Sequence, residues 1–441
     1  MTQSSNLKKL QKIKLIDGRS ITVTDRLGEG GQGIVYKVQL DGTNDEKALK
    51  WYFFEKLYHP TDFYQNLNKN IDHGSPSRTF IWPEGLTEMV NGTFGYIMPL
   101  IPRGYYEFSK YLIAKKVKFA NLQALINAAL NLVEAIMVLH REGYNYQDLN
   151  DGNYLVDPKT GHLLICDNDN VMGHGGVSGI RGKPRYMAPE VVRGEKTPNV
   201  LTDRHSLAVN LHLLLIGGHP LEGAKTNVPV LTQDYDMKFF GTEPVYTFDP
   251  IDVCNRPRTG LHTDSLKNWP CYPIYIQNAF QKSFSQESLL RGEGRLLEQA
   301  WLHLLTQLKS SIVKCPHCGQ EMFLEPQTDS KCPDCQRTTR PPGYLKFLKR
   351  RTNLEISVPI FPGVKLYESQ VNEVSEDFRT EGAVIISKQS KIGLMNSSDY
   401  SWETTTETNI RRTKPRDDVV LLSPGTKIDF RNGNIAEVKS N

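Results

Sequence analysis

Long apolar runs are missing from this chain. The first twenty residues, MTQSSNLKKLQKIKLIDGRS, hold no uninterrupted apolar stretch of the kind that serves as a signal peptide. The most apolar later stretch, LAVNLHLLLIGG at 207–218, carries Asn210 and His212 and falls short of the ~20 residues that span a bilayer. The expectation is a cytoplasmic protein without a membrane role. Charge of one sign is also scarce: 53 Lys and Arg against 49 Asp and Glu leave +4 over 441 residues. That balance excludes a dedicated nucleic-acid coat and leaves room for a local basic patch. Cysteine is sparse and odd in number. Of seven, Cys315, Cys318, Cys332 and Cys335 crowd together, while Cys166, Cys254 and Cys271 stand apart. Such a distribution argues against a disulfide framework and for a reducing compartment with a metal site. No fixed-period repeat and no long low-complexity segment occurs.

What is present is enough apolar material, 39% of residues, for packed cores. Residues 13–40 place branched and aromatic residues on both sides of a glycine cluster, the pattern of two antiparallel strands joined by a glycine turn. Further strands are expected at Glu46 to Phe53 and in TFGYIMPLI, and a helix after Pro60. From Asn121 to Arg141 the three-and-four spacing of apolar residues predicts a long helix, and helical patterns return at Thr202 to Ile216 and Leu296 to Leu308. Strands thus give way to helices near residue 105. Beyond Ser357, short alternating runs separated by Gly, Asn and Pro predict a small all-β domain. Cys254, Cys271 and Cys166 have no paired spacing and read as packed or unreactive thiols.

Gly28-Glu29-Gly30-Gly31-Gln32-Gly33-Ile34-Val35 fits G-x-G-x-x-G-x-V between two strands. Glycines let a backbone approach phosphates closely. A dinucleotide fold requires a helix straight after them, whereas Val35, Tyr36 and Val38 read as strand, so the motif is a hairpin lid over a nucleotide. Lys50 follows in the next strand. Asp148-Leu149-Asn150-Asp151-Gly152-Asn153 comes directly after the long helix, and the strand LLICD delivers Asp167 into a polar loop. Phosphoryl transfer needs a carboxylate to orient a hydroxyl, oxygen ligands for Mg²⁺ and a cation on the phosphates. Asp148, Asn153, Asp167 and Lys50 supply these groups in order.

Over roughly 20–312 these motifs make the chain resemble the eukaryotic-like protein kinases. The resemblance implies an α+β, bilobal kinase fold at 13–312, with an N-lobe at about 13–101 and a C-lobe at about 102–312. It implies Mg²⁺- or Mn²⁺-dependent ATP chemistry: Gly28, Gly30, Gly33 and Val35 over the nucleotide, Lys50 on its phosphates, Met98 as gatekeeper and Pro99, Leu100 and Ile101 as the hinge. Asp148 is then the catalytic base, with Asn153 and Asp167 as metal ligands. Ala188-Pro189-Glu190 closes the activation segment, Asp203 begins the large central helix, and Arg295 partners Glu190. The segment Gly182 to Glu190 resembles the substrate-docking loop of Ser/Thr kinases, so the implied acceptor is Ser or Thr on a protein.

Several positions depart from that family's pattern. Tyr146-Gln147-Asp148 stands where it has H-R-D, without the arginine that receives a loop phosphate. Asn150 occupies the place of the catalytic-loop lysine, which removes a cation from the transferred phosphate. D-F-G is replaced by Asp167-Asn168-Asp169. No acid lies at the spacing of the helix glutamate that pairs with the lysine, and Gln65 is the best-placed substitute. Ser178 is the Ser or Thr of the activation segment, either an autophosphorylation site or ordinary loop polarity. An ATP-binding pseudokinase scaffold is the alternative function.

Cys315-Pro316-His317-Cys318 and Cys332-Pro333-Asp334-Cys335 form C-x₂-C-x₁₃-C-x₂-C. Four thiolates so spaced suit structural, tetrahedral Zn²⁺, and rubredoxin-type iron is the lesser alternative. The sequence divides into a zinc ribbon at 313–337, a basic connector at 338–354 and a β-rich docking or regulatory domain at 355–441. Arg337, Arg340, Lys346, Lys349, Arg350 and Arg351, with Tyr344 and Phe347 for base stacking, permit a nucleic-acid-associated signalling role; the bland reading is an amphipathic connector. Asn396, Ser397 and Ser398 resemble forkhead-associated domains in part, without the Gly-Arg and Ser-x-x-His signatures. The whole order resembles bacterial kinases linked to a von Willebrand A protein and a PP2C-type phosphatase in tellurite-resistance-type triads, which implies those two partners. The oligomeric state is open.

Overall fold

A computed structural model of the protein describes residues 6–57, 59–173, 182–230, 232–347, 356–372, 374–389, 391–431 and 433–441. Its N-terminal part is a six-stranded antiparallel sheet of β1 (Lys12–Lys14), β2 (Ser20–Glu29), β3 (Gly33–Leu40), β4 (Glu46–Tyr52), β5 (Gly85–Leu86) and β6 (Gly95–Pro99), in the order β1-β2-β3-β4-β6-β5. Alternation along these strands buries Ile21, Val23, Tyr36, Val38, Leu49 and Ile97 in one cluster. A second cluster, Tyr52, Leu86, Phe94 and Tyr96, receives Leu67 of α1 (Pro60–His73). The glycine segment joins β2 and β3 as an antiparallel hairpin, and a further strand at 12–14 pairs with 20–22 on the other side of β2.

The helical unit follows, with β7 (Tyr106–Glu107), α2 (Leu122–Arg141), β8 (Tyr144–Asn145), β9 (Tyr154–Val156), β10 (Leu163–Ile165), β11 (Met172–Gly173), α3 (Pro189–Val192), α4 (Val200–Ile216), α5 (Gln233–Met237), α6 (Thr263–Asn268), α7 (Ile274–Ser283), α8 (Gln286–Arg291) and α9 (Glu298–Lys309). Asn121 caps α2 by accepting from Ala124 N at 2.8 Å. Asn199 and Thr202 close a capping box on α4, which ends at Gly217 in the left-handed region. α4 is buried along nearly its whole length. By length and composition α2 could cross a bilayer, which the reading of 207–218 missed, but 67% of its apolar window is buried inside this fold.

A polar cluster fastens three of these helices. His140 on α2 bonds Asp203 of α4 at 3.1 Å and Glu298 of α9 at 3.0 Å, and Glu298 also accepts from Arg204. Arg295 makes a buried two-pronged pair with Glu190, 2.8 Å on each prong.

Two small hairpins come next, β12 (Ile312–Lys314) with β13 (Glu321–Phe323), and β14 (Ser330–Lys331) with β15 (Thr338–Thr339). They are continuous with the C-terminal β unit: Val313, Met322 and Leu324 share one core with Leu345, Val358, Trp402 and Phe430. That unit holds β16 (Gly343–Phe347), β17 (Ile356–Pro359), β18 (Lys365–Tyr367), α10 (Glu368–Val371), β19 (Glu381–Lys388), β20 (Lys391–Asn396), β21 (Trp402–Thr405), β22 (Arg411–Lys414), β23 (Val419–Leu421), β24 (Lys427–Asp429) and β25 (Ile435–Ser440). The strands form sheets of order β17-β16-β25-β24-β21-β22 and β18-β19-β20-β23.

The expected connector at 338–354 is therefore corrected. Residues 343–347 are an inner strand, paired on both sides, because Leu345 and Phe347 alternate into the core. Phe347 stacks on Phe430 at 5.9 Å and cannot stack on bases. Lys349, Arg350 and Arg351 lie outside the described residues. Asn396 is fully buried and spends its amide on Tyr400 O and Lys414 O, and Ser398 bonds Asn396 and Trp402, so this trio holds a turn. Cys254 is exposed rather than packed.

The β unit sits on the helical unit. Arg379 pairs with Glu134 and donates to Asn131 Oδ1 at 2.6 Å, Arg141 pairs with Glu376, and Lys309 lies 4.0 Å from the Tyr367 ring centre. Phe378 enters the core of the helical unit.

The His140 cluster sets a pH signature. Burial disfavours the imidazolium, but the bonds to Asp203 and Glu298 outweigh it and raise the pKa above 6.5. Its contribution is complete below pH 6.5 and is lost as pH rises through that raised value. Glu298, for which burial is outweighed by His140 and Arg204, is held down to about 2, so its contribution is complete above 4.5 and lost toward pH 2. Thermal melting followed from pH 6 to 9 should decline for the wild type and decline less for His140→Gln; equal slopes would remove His140 from the account.

Candidate active site

The glycine hairpin is shaped by one close approach. A Cβ on Gly33 would lie 2.1 Å from Trp51 O, so only glycine lets β3 pass β4 there. Gly28, Gly30 and Gly31 face open space, and Gly30 N closes the turn on Gly33 O at 2.9 Å. Beneath it β4 presents Lys50, in register with Val35 on β3. On the other side of β4, β6 carries Met98 and Pro99 opposite Ala48 and Lys47; Leu100 is half-buried and Ile101 exposed where the chain leaves the sheet.

Lys50 is 6% exposed, and its ammonium has three partners: Asp169 Oδ2 at 2.7 Å, Gln32 Oε1 at 3.1 Å and Asp167 Oδ1 at 3.2 Å. Burial opposes the charge, but the two carboxylates outweigh it and hold the lysine protonated, above its ordinary pKa. The expectation for Gln65 is corrected: Gln65 is exposed on α1, and the acid came from the loop instead. Asp169 is fully buried and also accepts from Tyr52 OH. Sequence reasoning counted acids before Met98 and so passed over it. A second aspartate where the D-F-G pattern has its glycine was the signal available.

The same loop is locked by amides. Asn168 is fully buried and donates to Ile81 O at 2.8 Å and Ile165 O at 2.9 Å. From α1, Asn66 and Asn70 both donate to Val171 O, at 3.2 and 2.9 Å. These bonds link helix and loop where an apolar contact is missing. Asp167 itself has φ 52, a left-handed conformation uncommon for a non-glycine residue.

Opposite this loop, Asp203 receives the backbone N–H of Tyr146 at 2.6 Å and of Gln147 at 3.1 Å, which fixes the turn into Asp148. Tyr146 donates to Cys166 O, and Cys166 N to Asn153 O at 2.8 Å, tying this turn to the strand before Asp167. Asn153 Nδ2 donates to Asp148 O at 2.8 Å. Asp148 Oδ1 is buried without a hydrogen-bond partner among the described residues. Burial raises the Asp148 pKa, against the lowering effects of Asn150 and Lys183. Asp167 thus bonds Lys50 and acts by its charge on Asp148, which Asn153 holds, whereas Ser178 lies outside the described residues. The half-exposed Asp167 carboxylate and the Asn153 side-chain carbonyl are hard oxygen donors, a pair that fits Mg²⁺.

Away from the cleft, the ligand atoms of Cys315, Cys318, Cys332 and Cys335 lie within 4.8 Å of one another, with contacts of 3.7 Å (Cys315–Cys335) and 3.6 Å (Cys318–Cys332). A tetrahedron with ~2.3 Å Zn–S bonds has edges of about 3.8 Å, so the four sulfurs fit such an ion. Each knuckle repeats the same turn: Gly319 N returns to Cys315 O, and Gln336 N to Cys332 O. The purified chain should carry about one equivalent of zinc by elemental analysis, and Cys332→Ser should lose it with a lowered melting temperature. A metal-free wild type of unchanged stability would remove the metal centre.

Residues 90–249 match the family described as protein kinase domain. The chain is 34% identical over 115 residues to protein kinase C delta type from Mus musculus, covering 25% of this chain and 17% of that protein. It is 23% identical over 234 residues to glycogen synthase kinase 1 from Pyricularia oryzae, covering 51% of this chain and 57% of that protein. It is 24% identical over 241 residues to protein kinase gsk3 from Schizosaccharomyces pombe, at 52% and 60% coverage. The chain thus spans less than two thirds of the length of these relatives. Residues 90–249, which include Met98, Asp148, Asn153 and Asp167, are thus similar to a protein kinase domain.

Proposed function

We propose that the protein is an active, atypical kinase of bilobal form that moves the γ-phosphate of ATP to a Ser or Thr hydroxyl of a protein substrate. The observation that carries this reading is the pairing of buried Lys50 with Asp167 and Asp169 across a cleft from Asp148, whose Oδ1 is unpartnered. In this reading the glycine hairpin covers the phosphates, and Lys50, kept charged by its two aspartates, fixes their position. Asp148 orients the acceptor hydroxyl and takes its proton, with its loop held by Asp203 and Asn153. Asn153 and Asp167 hold magnesium, which neutralises phosphate charge when bound. The Ser/Thr preference rests on the Gly182 to Glu190 segment, whose resemblance is to the docking loop of Ser/Thr kinases. The four-cysteine hairpins, holding structural zinc, and the β unit form the partner-selecting part, with a PP2C-type phosphatase and a von Willebrand A protein as first candidates.

Purified protein incubated with labelled ATP and magnesium should label itself or a protein acceptor. Asp148→Asn and Asp167→Asn should lower transfer by about 10²- to 10⁴-fold. ATP binding by the wild type without any transfer would replace this reading with that of a nucleotide-binding scaffold.

Asp169→Asn should lower kcat at least tenfold, since it leaves a buried ammonium short of a counter-charge. Gln65→Ala should stay within twofold of wild type. The reverse order would return the lysine-pairing role to α1.

A further inference from the structure

The loop that carries Asp148 has an amide, Asn150, at a place where phosphoryl transfer gains from a cation. A cation reaches this place from another element. Lys183 precedes α3, and its ammonium ends 3.0 Å from Asn150 Oδ1. A Cβ built on Gly152 would lie 3.6 Å from the same nitrogen. The neighbouring Gly182 runs against Asp148: a Cβ there would lie 3.2 Å from Asp148 Oδ1, the buried oxygen without a partner. The Gly182-Lys183 step therefore crosses directly over the catalytic loop, the glycine permitting the approach and the lysine supplying the charge.

Asn150 is built to hold it. The residue is 1% exposed; its Nδ2 donates to Asp148 O at 3.0 Å, and its Oδ1 accepts from Gly152 N at 3.0 Å as well as from Lys183. With its nitrogen committed to Asp148, the side chain must turn its oxygen toward the ammonium. Among the described residues Lys183 pairs with no carboxylate, so its charge stays available to an anion in the cleft.

Building on the kinase reading above, we infer that Lys183 is a catalytic residue, its ammonium contacting the phosphoryl group in transit beside Asp148. The acceptor oxygen forms its bond to phosphorus as the bond to the departing ADP oxygen breaks. The hydroxyl proton passes to Asp148, and Lys183 remains protonated throughout, balancing charge on the transferring oxygens. Asn150 is a positioning residue that aims it.

The test uses the full chain, labelled ATP with magnesium, and casein together with the chain itself as acceptors. Lys183→Ala should lower kcat about 10²-fold while KM for ATP stays within threefold, and Lys183→Arg should retain more activity than Lys183→Ala. The exchange variant Asn150→Lys with Lys183→Asn puts the cation back on the catalytic loop, and should exceed Lys183→Asn alone at least tenfold. A Lys183→Ala kcat within threefold of wild type, or an exchange variant no better than Lys183→Asn, overturns the assignment even where transfer by the wild type is plain. A wild type that binds ATP and transfers nothing overturns the kinase reading, and this assignment with it.

Discussion

The Lys50 ammonium is withdrawn from water beneath a β-sheet, and an unpaired charge so placed is among the least tolerable states a fold can contain. Much of the cleft follows from how it is matched. Asp169 is buried facing it, and Tyr52 turns its hydroxyl onto the same carboxylate. Asn168, between the two aspartates, spends its amide on two carbonyls and adds no charge of its own. Helix α1, relieved of supplying an acid, uses two asparagines to hold the loop at Val171 O. The result is a lysine whose counter-charges travel with the loop that bears Asp167, and not with a separate helix that could swing away.

On the other wall Asp203 plays the corresponding part. Its carboxylate lies near the start of α4, where a negative group is favoured by the helix dipole, and it fixes backbone N–H groups of the turn before Asp148 while touching His140 of α2. Glu298 extends the contact to α9. The position of the loop that carries Asp148 is thereby set by buried polar bonds among three helices, each of which packs into one apolar core.

Much of this was legible in the sequence because it depends on local pattern. Glycines before a strand, Asp148 with Asn153 five residues on, and two C-x₂-C pairs carry their spacing in the chain itself. So did α2, from its apolar periodicity, whereas α4 is buried nearly all round. What was not legible depends on distance in sequence. Asp169 lies 119 residues from Lys50 and Lys183 lies 33 from Asn150, and no local rule couples them. The strand at 343–347 was hidden by composition: Tyr344 and Lys346 are half-buried between core positions, so the run reads as basic connector although alternate residues are apolar.

The small cysteine hairpins do more than occupy the junction between two larger units. Glu321 Oε2 accepts the N–H of Leu122 at 2.7 Å, and Glu325 Oε1 that of Ile274 at 2.6 Å, so each carboxylate satisfies the first donor of a helix in the helical unit. Both glutamates sit in or beside the strand that returns from the first cysteine pair. An ion held by the four sulfurs would also act on how well two distant helix ends are terminated. Metal occupancy would thus be linked thermodynamically to the order of α2, the helix whose opposite end leads toward the Asp148 loop.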